Sequence, residues 1–287
     1  MSEALEFLVH LLDLEAIEVN VYRGNHPKEE RQRTFGGQVA AQSLMAAGRT
    51  VSRGRVHSLH SYFLRPGDPT TPILYEVDRI RDGKSFTTRR VVAIQHGRAI
   101  YNMQASFHTD EVSINHQVTM PEVPGPETIA SLFDRVQGEL GEVDDWFKRQ
   151  NPIDQRFIGE LPWSKNRSKA PHQRLWIKAD GTLPADPLLH ACVVTYASDM
   201  SLFDAILKPH SIQWDNDSFM GASLDHCMWF HHDLRADEWL LYDAESPIAF
   251  GGRGLARGFL FSRDGELKVS MVQEGLTRIV KPRAAKG

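Results

Sequence analysis

Cysteine is scarce: Cys192 and Cys227 are the only two in 287 residues. Two thiols cannot build the framework that staples small secreted domains, and Cys192 lies among apolar residues, so a reducing, intracellular compartment is expected. An excess of positive charge is also missing. With 33 Lys and Arg against 37 Asp and Glu, the formal charge is −4, which argues against a nucleic-acid binder but leaves room for a local basic pocket. No apolar run approaches the roughly 20 residues that a membrane-spanning helix needs. Met1 to Leu14 carries Glu3, Glu6 and Asp13 and no positive stretch, unlike a signal peptide. The final Ala-Ala-Lys-Gly matches no peroxisomal or ER-retention tail. A soluble, cytoplasmic protein is expected.

Several catalytic signatures are absent as well. There is no Gly-x-Gly-x-x-Gly turn and no P-loop, which argues against nucleotide-dependent chemistry. The nearest approach to a Gly-x-Ser-x-Gly elbow is Gly221-Ala-Ser-Leu-Asp225, which lacks the second glycine and lies in strand context. His226, His231, His232 and Asp233 fit no zinc spacing. Neither a metal nor an organic cofactor is expected.

What is present is an ordinary globular composition, 41% hydrophobic and 24% charged, arranged as a repeat. Leu5, Leu8, Leu12 and Phe7, Leu11, Leu14 recur at helical spacing. Residues 34–48 are rich in helix formers and end at Gly48, a suitable C-cap. Period-two strands then follow at 56–64, 73–80, 86–95 and 99–108, the last two flanking His96-Gly97. The second half repeats the order. A helical stretch from Leu188 to Leu207 precedes strands near 221–230, 239–246, 254–262 and 266–274, the last two flanking Asp264-Gly265. Leu-Tyr at 74–75 recurs at 241–242, and the spacing between these pairs agrees within one residue with that between the turns. Each half reads as a helix followed by an antiparallel sheet, an α+β duplication. Expected boundaries are 1–111 for the first domain, 112–155 for a proline-rich linker with a short amphipathic helix or two from Ile129 to Phe147, and 156–287 for the second.

The blocks within this frame carry a resemblance. Phe-Gly-Gly-Gln (35–38), His-Ser-Leu-His-Ser-Tyr-Phe-Leu-Arg-Pro-Gly-Asp (57–68) and Arg-Asp-Gly-Lys-Ser-Phe (81–86) resemble the N-terminal half of the type II acyl-CoA thioesterases. Tyr-Ala-Ser-Asp (196–199), Leu-Asp-His-Cys-Met-Trp-Phe-His (224–231), Glu-Trp-Leu-Leu-Tyr (238–242) and Val-Gln-Glu-Gly (272–275) resemble the C-terminal half, in the same order. The resemblance implies a double hot-dog fold, hydrolysis of medium- to long-chain acyl-CoA, and a homo-oligomer. It also implies a catalytic set of Asp199, Ser223 and Gln273, in which the aspartate activates water and the amide and hydroxyl orient it.

By residue type alone, Ser223 and Gln273 are ordinary strand residues. Asp199 lies on or beside the buried stripe Leu188, Leu189, Cys192, Val193 and Tyr196, where a carboxylate needs partners. The first half has Gln38 at roughly the corresponding place, and glutamine is no base, so one competent site per chain is expected. His57 lies in a family block and is a candidate for lining the site. Arg65, Arg89, Arg90 and Arg257 are candidate contacts for the phosphates of CoA. Phe35, Tyr62, Phe63 and Trp229 are candidates for an acyl tunnel. Two rivals stand beside this reading: a hot-dog enoyl-CoA hydratase, which wants a histidine near the aspartate on one helix, and a non-catalytic acyl-CoA binder.

Overall fold

The computed structural model describes residues 1–26, 33–140, 151–162, 164, 168–210, 212 and 218–280. Helix α1 (Glu3–Leu12) is capped by Ser2, whose Oγ accepts from the Leu5 N–H at 3.3 Å, and buries Leu5, Leu8, Leu11 and Leu12. A short hairpin, β1 (Glu15–Glu18) and β2 (Val21–Gly24), leads to α2 (Gly36–Gly48). Four strands follow: β3 (Arg55–Phe63), β4 (Ile73–Asp82), β5 (Phe86–Gln95) and β6 (Arg98–His108). The β5–β6 turn holds His96 at φ 49 and Gly97 at φ 69, the paired positive values of a tight hairpin. Beyond it an extended segment reaches α3 (Leu132–Leu140), which begins three residues into the stretch expected to be helical from Ile129 to Phe147. Residues 141–150 lie outside the described residues.

The second half begins with two strands that the sequence reading did not anticipate, β7 (Ile153–Ile158) and β8 (His172–Ala179). Strand β7 starts inside the expected linker and alternates buried and half-buried side chains along its six residues. Then come α4 (Pro187–Ser198), α5 (Asp204–Leu207), β9 (Phe219–Ser223), β10 (Asp225–Phe230), β11 (Leu240–Phe250), β12 (Arg253–Ser262) and β13 (Leu267–Ile279). The single helix expected from Leu188 to Leu207 is thus two. It stops at Ser198 because that residue's carbonyl, which a continuing helix would bond to residue 202, accepts instead from Tyr242 Oη at 2.8 Å.

Among the described residues the strands form one antiparallel sheet in the order β1-β2-β4-β5-β6-β3-β10-β13-β12-β11-β8-β7, with β9 pairing off this path onto β13. The order reads as the same motif from either end, so the halves are related by an approximate twofold through the β3–β10 seam. There Leu59 pairs with Met228, and both are fully buried.

Helix α2 packs on β2 to β6, and α5 on β8, β11 and β12. Helices α2 and α4 run side by side and antiparallel. A Cβ on Gly48 would meet the Leu188 side chain, and one on Gly36 would meet the Asp199 carboxylate. Small residues Ala40, Ala41, Ala46 and Ala47, all buried, line α2 in this apolar core. The last turn of α4 is therefore held against the first turn of α2.

Candidate active site

Asp199 is the C-cap of α4, with φ −81° and ψ −3°. The helix that presents it starts cleanly: Asp186 caps it by accepting from the Leu188 N–H at 2.9 Å, and Pro187 occupies its first turn. From Leu189 to Ser198 almost every residue is buried, so the helix crosses the core and delivers its last side chain between the two halves.

Three elements converge on that carboxylate. Gln273 on β13, fully buried, donates Nε2–H to Asp199 Oδ1 at 2.7 Å and to Ser223 Oγ at 2.7 Å. Ser223, at the end of β9, donates its hydroxyl to the same Oδ1 at 3.3 Å. The backbone N–H of Gly37, in the first turn of α2, also hydrogen-bonds Asp199. Burial pushes the carboxyl up to about 6, against the pull of Gln273, Ser223, the Gly37 N–H and the charge of Arg33. The other amide atom of Gln273, Oε1, is buried without a protein partner. An acceptor left open there suits a donor that arrives with solvent or substrate.

The glycine pair makes this approach possible. A Cβ on Gly36 would lie 2.7 Å from Asp199 Oδ2 and 2.9 Å from the Phe63 ring, and one on Gly37 would lie 2.5 Å from the Tyr196 carbonyl oxygen. Phe35, the N-cap of α2, offers no side-chain cap, so the first N–H groups of that helix face the site without an internal partner from Phe35. Around them stand the rings of Phe35 and Tyr196, edge to face at 5.0 Å, and of Phe63 and Tyr101, also 5.0 Å apart. Arg33 reaches in and donates Nη2–H to the Gly221 carbonyl at 2.8 Å.

The structure brings Asp199, Ser223 and Gln273 together and sets the rings of Phe35 and Phe63 beside them; it does not bring His57, Arg89, Arg90 or Arg257 to them. His57 lies near the opposite end of β3 from Phe63, about 20 Å away at the rise of a strand, packed against Phe86 and His108. Arg89 corrects the expectation of a pocket-mouth cation. It is 1% exposed, donates Nε–H to Thr50 Oγ1 at 2.7 Å and Nη2–H to the Thr50 carbonyl at 3.2 Å, and pairs with Asp82. Arg90 pairs with Asp78, and Arg257 with Glu245. Arg65, exposed two residues beyond Phe63, donates to the Ala99 carbonyl at 2.6 Å. Of the ring candidates, Tyr62 is exposed and Trp229 packs edge-on against His60. Gln38 is also corrected. It sits in the first turn of α2 and donates to the Asn25 carbonyl at 3.3 Å, whereas the counterpart of the α4 C-cap is the α2 C-cap, Arg49.

Comparison with known proteins bears on the chain as a whole. A family profile described as acyl-CoA thioesterase matches residues 145–276, and one described as acyl-CoA thioesterase N-terminal domain matches 26–108. Acyl-coenzyme A thioesterase 8 of Homo sapiens is 40% identical over 288 residues, covering 96% of this chain and 89% of that protein. The chain belongs to the acyl-CoA thioesterase family. The crystal structure of an acyl-CoA thioesterase II from Mycobacterium marinum superposes with a TM-score of 0.79 at 44% identity, covering 95% of this chain and 98% of that one. A hot-dog protein of unknown function from Alicyclobacillus acidocaldarius gives the same TM-score at 18% identity over 98% of this chain and 100% of its own. The fold is hot-dog, as the resemblance implied.

Within this family frame, sequence reasoning did not single out Arg33, whose charge acts on Asp199. The signal that could have pointed to the seat of the site was Gly36-Gly37. Two adjacent glycines opening a helix lack any Cβ, and so permit a close approach by another backbone or a carboxylate.

Proposed function

We propose that this thioesterase hydrolyses medium- to long-chain acyl-CoA with Asp199 as general base and Gln273 and Ser223 as the groups that orient it and the water. The observation that carries the reading is the convergence on Asp199 Oδ1 of an amide at 2.7 Å and a hydroxyl at 3.3 Å, around a carboxyl raised to about 6. Such a base is ionised near neutral pH yet basic enough to take a proton. In the reaction, water attacks the thioester carbonyl carbon as its proton passes to Asp199. The tetrahedral intermediate collapses with cleavage of the C–S bond, and the proton returns to the CoA sulfur, leaving a fatty acid and a thiol. The first N–H groups of α2 supply positive potential for the developing oxyanion.

The rings of Phe35, Tyr196 and Phe63 support an apolar acyl chain beside Gly36. Arg65 is the candidate cation at the Asp199 end of β3. The division into domains 1–111 and 156–287, a homo-oligomeric assembly and a cytoplasmic location extend the reading by analogy with the family. Among the described residues no helix is long and apolar enough to cross a membrane. The hydratase reading gains no support, since His190, the histidine of α4, uses Nδ1 to accept the Ala236 N–H at 3.0 Å.

The test is release of CoA thiol from a panel of saturated acyl-CoAs by the wild type and Asp199→Asn. Loss of about 10²–10⁴-fold in kcat is expected, the usual worth of a positioned base. Equal rates would remove Asp199 from its role, and no thiol from any substrate would favour the binder.

A further inference from the structure

We infer that Tyr242 and His226 are positioning residues for the reaction, gripping the end of α4 from two sides so that Asp199 stays aligned with Gln273 and Ser223. The inference rests on the general-base reading above. Ser198, the residue before Asp199, is fully buried and held at both its backbone and its side chain. Its carbonyl, one of the orphan acceptors at a helix end, takes the Tyr242 hydroxyl at 2.8 Å. Its Oγ donates to the Thr195 carbonyl at 2.9 Å, which makes His226 Nε2 the donor to Ser198 Oγ at 2.8 Å. His226 is fully buried in turn, and its carbonyl accepts from Ser61 Oγ of β3 at 2.7 Å. The grip therefore runs from the seam between the halves to the peptide unit that carries Asp199. Burial lowers His226 to about 4, so its ring stays neutral through the working range and keeps this donor arrangement.

The first half supplies the control. Tyr75 lies on β4 where Tyr242 lies on β11, each the second residue of a Leu-Tyr pair. Both are fully buried. Tyr75 donates to Gln42 Oε1 at 2.6 Å, at the middle of α2, and Gln42 passes the link to the carbonyls of Leu11 and Asn25. Only the second-half tyrosine closes the end of a helix that bears a base. Matched tyrosines thus remove one buried hydroxyl each, with different consequences for alignment.

The experiment compares Tyr242→Phe with Tyr75→Phe for Tm, kcat, KM and the pH dependence of kcat/KM. Both variants are expected to lose similar stability. Tyr242→Phe is expected to lower kcat about 10- to 100-fold, the scale of a misplaced catalytic group, with KM unchanged. Its acid limb should move to higher pH, because an Asp199 that slips from Gln273 and Ser223 loses bonds to its charged form. Tyr75→Phe should keep both. At the second grip, His226→Gln, which can restore an N–H toward Ser198, should retain more kcat than His226→Leu. Equal kcat and equal acid limbs in the two tyrosine variants would overturn the role of Tyr242, and equal kcat in the two histidine variants that of His226. Full thiol release by Asp199→Asn would instead remove the general-base reading, and the grip with it.

Discussion

At the C-terminal end of α4 stands Asp199, a carboxylate; at the C-terminal end of α2 stand Arg49 and Thr50. The strands beside these ends match as well. In the second half Ala256 pairs with Gln273, and in the first half Arg89 pairs with Ala105. One half puts an amide on the inner strand and a methyl on its neighbour, and the other puts a methyl on the inner strand and a guanidinium on its neighbour. The guanidinium then bonds Thr50 and closes the space. The N-terminal ends are inverted too. Helix α2 begins with Gly36-Gly37 behind an uncapped Phe35, whereas α4 begins with Asp186 and Pro187, which satisfy their own helix. A duplicated backbone thus carries the Asp199–Gln273 pair in one half and the Arg89–Thr50 pair at the equivalent place in the other, using only a few side chains.

The largest test of this contrast lies at the glycines. Gly36→Ala places a Cβ 2.7 Å from Asp199 Oδ2 and should reduce kcat by about 100-fold through displacement of the base. Gly48→Ala, at the other end of α2, meets only the flexible side chain of Leu188 and should leave kcat unchanged. Equal losses in the two variants, measured by thiol release, would break the contrast.

A smaller effect is expected from pH. With the Asp199 carboxyl near 6, kcat/KM should be level above that pH and fall tenfold per unit below it, as the base is protonated. An acid limb near 4 would mean that burial does not set its basicity.

The smallest effects are on stability, and they should have opposite signs in the two halves. Asp199 has a folded value above its ordinary one, so the folded state favours the protonated form, and stability is lost as pH rises from about 4 through about 6. Asp199→Asn removes that loss and should stabilise the protein at pH 8 by about 1 to 3 kcal/mol even as it lowers kcat. Arg89→Met removes charge-assisted bonds to Thr50 and Asp82 and should destabilise it by about 2 to 4 kcal/mol with kcat retained. Denaturant unfolding of both variants at pH 8 checks the signs.

The duplication itself was legible because strand alternation and turn chemistry are local. The β5–β6 and β12–β13 hairpins appear where His-Gly and Asp-Gly were read. The end of α4 was not legible, because the hydroxyl that captures the Ser198 carbonyl comes from Tyr242, 44 residues further along the chain. The same limit hid the fate of Arg89, whose charge is plain in the sequence but whose burial depends on Thr50 and Asp82. Asp199, Ser223 and Gln273 were reached through the family blocks. Taken singly, two of them sit on strands among dozens of similar residues.

The seam at β3 and β10 is the sole strand-to-strand joint between the halves among the described residues, and Asp199, the proposed base, lies across it from Gly36 and Gly37. In assembly terms the chain is a heterodimer tied into one polypeptide: each partner brings half of a composite site, and the linker fixes their stoichiometry at one to one. Substitutions on the side without the base should therefore be as able to silence turnover as those beside it.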